Sequence, residues 1–104
     1  MDSKLKKFDL MEKITNELED LKNSQTAIVQ KIGKIEIDNF ELNNKTLDRI
    51  LPVMHQNVAD NLDKIAEILA SFEDAKNDYG KKNNIEGLRE QEAIREAMEG
   101  EEKE

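Results

Sequence analysis

Apolar residues in this chain recur at helical spacing along two long stretches. With Met11 set as a heptad a position, the a and d slots of the first stretch read Met11, Ile14, Leu18, Leu21, Gln25, Ile28, Ile32, Ile35, Asn39 and Leu42. Eight of those ten are apolar, and an a/d seam held over more than four heptads predicts a long helix that buries its stripe against another helix. Flanking charges agree with a parallel, in-register assembly, in which Glu17 would face Lys22 and Lys31 would face Glu36. Ser3 is the expected N-cap, and the first helix is expected to run to about Asn43.

Gly33 interrupts this stretch. Ending the helix at "QKIG" would leave "KIEI" to alternate like a strand, with Asp38 and Glu41 as a capping box for a new helix. Ile32, Ile35 and Leu42 nevertheless keep their register across the glycine. One interior glycine costs only about 1 kcal/mol against alanine, so a continuous helix is expected.

In the second stretch Leu47, Leu51, Met54, Val58, Leu62, Ile65, Leu69 and Phe72 follow at spacings of three and four, and Ile50 and Ile68 widen the stripe. A stripe this broad suits burial from more than one side, as in a bundle. Its phase does not continue that of the first stretch, which places a turn or kink near residues 43–52. "NNKT" is rich in turn-forming residues. With Asp48 as N-cap, Pro52 falls at the fourth helical position, where little hydrogen bonding is lost. A helix–turn–helix arrangement is therefore expected over a single helix kinked at the proline.

Beyond Ala75 the periodicity weakens. Gly80 reads as a C′ residue with Lys81 and Lys82 beside the negative helix end. Residues 84–104 hold eight acidic and three basic side chains. Ile85, Leu88, Ile94 and Met98 support a short helix beginning near Asn84, which Gly87 and Gly100 weaken. The expected organisation is a helical coiled-coil or bundle region over residues 1–79, then an acidic, marginally helical to disordered tail over 80–104, of which residues 84–104 are expected to be dispensable for folding. The fold class expected is all-α: long helices forming a coiled coil or helical hairpin that assembles into an oligomeric bundle.

Composition sharpens the need for a partner. The 104 residues include no Trp, three Phe and one Tyr, while 38% are charged. So little bulky apolar volume stabilises an isolated monomer poorly. A formal charge of −8 argues against direct nucleic-acid binding, since the small cluster Lys4, Lys6, Lys7 is flanked by Asp2 and Asp9. With no cysteine there is neither a disulfide framework nor a thiolate metal site. No apolar run approaches the ~20 residues of a membrane span, and the first residues lack the apolar core of a secretory signal. An intracellular, cytoplasmic location is expected, or a virion-associated one should the chain be viral. Asn44-Lys45-Thr46 matches the glycosylation acceptor pattern and, in that setting, reads as chance.

Candidate chemistry is sparse. His55, the only histidine, has no local acid or base at helical spacing and reads as a structural or surface residue. Ser3, Ser24 and Ser71 lack a nucleophile motif, and the scattered glycines build no phosphate loop. Asp60, Asp63 and Glu67 could share an oxygen-ligand site, but an acidic helix produces that spacing by chance. Neither a catalytic residue nor a cofactor or metal is expected. Two polar residues fall in seam positions: Gln25 reads as a register device and Asn39 as a fraying end. Isoleucine at several d positions disfavours a parallel dimer relative to trimers or tetramers.

These observations lead to a structural or adaptor protein, not an enzyme, that associates with itself and with another protein in a scaffold, assembly or connector role. The expected oligomer interface comprises Met11, Ile14, Leu18, Leu21, Gln25, Ile28, Ile32 and Ile35 of the first stripe and Leu47, Leu51, Met54, Val58, Leu62, Ile65, Leu69 and Phe72 of the second. The alternative is a small acidic inhibitor that occupies a basic groove of a nucleic-acid-binding protein.

Overall fold

The computed structural model describes residues 2–102, and among these the protein is all-α. Helix α1 spans Ser3–Leu42, α2 spans Lys45–Lys82 and α3 spans Ile85–Glu102. At the start of α1 it is Asp2, not Ser3, that caps: Asp2 Oδ1 accepts the Lys4 backbone N–H at 2.7 Å, and the Asp2 carbonyl accepts the Lys6 N–H at 3.1 Å. A carboxylate beside the positive helix end outcompetes the serine one residue later. Helix α1 continues through Gly33, as the unbroken register of Ile32 and Ile35 predicts.

Two asparagines connect α1 to α2. Asn43 adopts the left-handed conformation at φ 59°, which terminates α1 at little cost because asparagine tolerates that region. Asn44 then caps α2: its Oδ1 accepts the Leu47 N–H at 3.1 Å and its carbonyl accepts the Asp48 N–H at 3.0 Å. The cap therefore lies four residues before Asp48, the expected position. Pro52 is correspondingly displaced into the interior of α2, where the Asp48 carbonyl has no proline N–H to bind. Asp48 instead sits in the first turn, paired with Lys45 at 4.0 Å and accepting a hydrogen bond from Asn39.

The chain divides into two compact units, residues Asn16–Ala70 and residues Met1–Thr15 with Ser71–Glu104. In the first, α1 and α2 form an antiparallel hairpin, as the Asn39–Asp48 and Glu36–His55 contacts require. Ile32, Leu51, Ile65 and Leu69 are its buried apolar residues. Each lies at a spacing of three, four or seven from other inward residues, so one face of each helix meets the other.

In the second unit the start of α1, the end of α2 and α3 come together around Leu5 and Ile85, each 3% exposed. Gly80 is not a C′ residue. Helix α2 runs past it to Lys82, and Phe8 packs so closely that a Cβ on Gly80 would meet the ring at 3.1 Å. The left-handed residue is Asn84 at φ 47°. Its side-chain amide occupies the place where Gly87 has no Cβ, so this second glycine permits the turn to fold over the start of α3. Arg89 of α3 donates to Asp9 at 2.6 Å and lies over the Phe8 ring at 5.5 Å. The expected marginal helix is an 18-residue helix anchored by these contacts.

Candidate functional site

His55 has a partner that local spacing does not reveal. Its Nδ1 lies 2.7 Å from Glu36 Oε1, and both side chains are about one-third exposed. A carboxylate only accepts, so Nδ1 carries the hydrogen in this contact. The pair joins α1 to α2 across the hairpin.

Asn39 is buried at 3% exposure and does not fray. Its Oδ1 accepts the Asn44 N–H at 2.9 Å, while Nδ2 donates to the Asn44 carbonyl at 3.2 Å and to Asp48 Oδ1 at 2.8 Å. One side chain thus satisfies backbone groups left over at the helix junction. Gln25, the other polar seam residue, is half-buried.

The remaining chemical candidates do not converge. Asp60 accepts a hydrogen bond from Gln56 on its own helix at 2.8 Å, and among the described residues no three His, Cys, Asp or Glu side chains are grouped to hold a metal. Ser3, Ser24 and Ser71 are exposed on helices. An open cleft beside Phe8, Gly80 and Ile85 is lined by Lys81, Glu86 and Arg89, but Arg89 already serves Asp9 and Glu12. Among the described residues no helix is long and apolar enough to cross a membrane.

The apolar seam residues divide into two sets. Ile32, Leu51, Ile65 and Leu69 are buried, and Met11, Ile14, Leu18, Leu47, Val58, Leu62 and Phe72 are half-buried. Leu21, Ile28, Ile35 and Met54 stay exposed, at 43%, 39%, 45% and 45%. In the hairpin, then, the a positions of α1 turn inward, and the d positions from Leu21 to Leu42 remain on its flank. Ile50 and Ile68 are likewise exposed on α2.

These exposed residues share one side of the hairpin. Ile35 follows buried Ile32 by three residues, and Met54 follows buried Leu51 by three, an equal step of about 60° around each helix at 3.6 residues per turn. Equal steps on two antiparallel helices that face each other lead to the same side. With Asn39 beside Asp48 and Glu36 beside His55, Leu21 comes level with Ile68, Ile28 with Asn61 and Ile35 with Met54. Ile50 and Leu42 extend the stripe towards the turn.

Comparison with known proteins supplies no relative: no family model, curated protein or solved structure matches the chain.

Proposed function

We propose that this protein is a structural or adaptor protein that works by helix–helix association, first with itself and through that assembly with another protein, in a scaffold, assembly or connector role. The observation that carries the reading is the unpartnered apolar side of the hairpin. Folding α1 against α2 buries Ile32, Leu51, Ile65 and Leu69, yet leaves Leu21, Ile28, Ile35, Ile50, Met54 and Ile68 about half in water. Single exposed apolar residues need no explanation, whereas an aligned set on one side of two helices marks an interaction surface.

Size-exclusion chromatography with light scattering tests the reading. The expected mass is a multiple of 12.0 kDa that grows with concentration and changes little with salt, because apolar contacts are not screened. A chain that stays monomeric throughout the micromolar to millimolar range would overturn it. Tight capture of a basic protein, lost as salt rises, would favour the acidic-inhibitor alternative.

A further inference from the structure

We propose that the apolar side of the hairpin is the docking surface for a second copy of this chain, with the two turns at the same end and α1 of each copy against α2 of the other. The proposal rests on the self-association reading above and adds to it the surface and the orientation.

Size is the first support. From Leu21 to Leu42 the stripe is about 31 Å long at 1.5 Å per residue. Two helices side by side make it about 20 Å wide. The footprint of about 600 Å² approaches the ~800 Å² that each partner contributes to a standard stable interface. The middle of this surface, between the two helix axes, holds Ile28, Ile35, Met54 and Asn61 and no charged residue. Charges are confined to its rims, as at the centre and edge of protein interfaces.

The rims decide the orientation. Along α1 the outer edge carries Asp20, Lys31 and Lys34, then Asp38 and Glu41 nearer the turn; along α2 it carries Lys64 and Asp60, then Arg49 nearer the turn. Lys64 comes level with the gap between Asp20 and Lys31, so Asp60 and Arg49 decide the pairing. All eight side chains are exposed, and among the described residues none of Lys31, Lys34, Asp38, Glu41 and Arg49 has an ion partner. Within one hairpin the two rims lie on opposite edges, so they cannot pair with each other. When a second copy is laid face to face with its turn at the same end, its α2 rim comes over the α1 rim of the first. Arg49 of the second copy then meets Asp38 and Glu41, and Asp60 of the second copy meets Lys31 and Lys34. Two-fold symmetry repeats each contact. The opposite orientation stacks α1 on α1 and α2 on α2. Lys31 and Lys34 then approach their own counterparts and Asp60 its own, which like-charge repulsion disfavours.

The full chain is compared with Ile35→Asp, Arg49→Glu and the double variant Arg49→Glu/Glu41→Arg by sedimentation equilibrium, with helicity checked by circular dichroism. Ile35→Asp should weaken the dimer at least a hundredfold, because it carries a charge into the apolar centre. Phe40→Ser, on the other side of the hairpin, should leave the dimer unchanged. Arg49→Glu should weaken it about tenfold at low salt, and the double variant should recover most of that loss. A spin label at the turn, in place of Thr46, should report the label of the second copy at the same end.

The outcomes separate. A monomeric wild-type chain overturns self-association itself. An oligomer indifferent to Ile35→Asp, with helicity kept, overturns this surface while leaving self-association standing. An oligomer that needs Ile35, shows no recovery in the double variant and holds its turn labels at opposite ends overturns the orientation.

Discussion

Asn39 and Asp48, on different helices, are joined by a 2.8 Å hydrogen bond from Nδ2 to Oδ1, and the same buried amide also holds both backbone groups of Asn44. In a heptad seam an asparagine is a weak core residue; here it is the fastening of the turn. Asn39→Leu should therefore destabilise the hairpin by about 2–3 kcal/mol, since it leaves the Asn44 N–H and Asp48 without their partner. Urea unfolding followed by circular dichroism measures this. A gain in stability would mean that position 39 behaves as ordinary seam.

That contact also shows where reading the sequence stops. The apolar register fixes two helices and their helical faces, and "NNKT" marks the turn. Which asparagine terminates α1 and which caps α2 depends on a left-handed residue at Asn43, and several residues of that segment tolerate such a conformation. Placing the cap at Asn44 instead of Asp48 in turn puts Pro52 in the helix interior. Glu36 and His55 stand 19 residues apart, so only the hairpin register brings them together. Similarly, a and d positions are equally apolar in sequence. Only packing decides that Ile32 turns inward and Ile35 stays exposed.

The glycines offer a clean contrast. A Cβ at Gly33 would meet nothing within 4 Å, and the residue lies inside α1. Gly33→Ala should stabilise by about 0.5–1 kcal/mol, the cost of glycine in a helix interior. At Gly80 the added Cβ meets Phe8 Cε2 at 3.1 Å, so the same gain is opposed by displacement of the ring. Gly80→Ala should gain less than Gly33→Ala or lose stability. Equal gains, read from thermal melts, would show that Phe8 does not pack there.

Pro52 should now respond differently from a proline in a first helical turn. It lies inside α2 with its ring exposed, so replacement loses little packing. Pro52→Ala supplies an N–H for the Asp48 carbonyl and removes the clash, a gain of about 3 kcal/mol. Part of that gain, about 0.4–1 kcal/mol, is offset because the unfolded chain becomes freer. The net expectation is about 2 kcal/mol of added stability, seen as a higher urea midpoint with an unchanged slope. A neutral result would place the proline where no helical bond is missing.

The acidic end of the chain carries the last test. Composition alone predicts that residues 84–104 are dispensable, but Ile85 is 3% exposed and Leu5, in the same unit, is equally covered. Ile85→Ala should cost about 2–4 kcal/mol through lost burial and the cavity left behind. Arg89→Ala should cost less, about 1 kcal/mol, because its side chain is 46% exposed even though it reaches Asp9 at 2.6 Å and covers Phe8. Arg89→Lys should recover only part of that loss, since an ammonium cannot reproduce the planar stacking and forked donors of a guanidinium. Removing residues 84–104 should combine these losses and lower the melting temperature by 10 °C or more, given about 4–8 °C per kcal/mol for a chain of this size. A truncated chain that melts at the wild-type temperature would show that α3 contributes no docking energy, and the two single substitutions should then be silent as well.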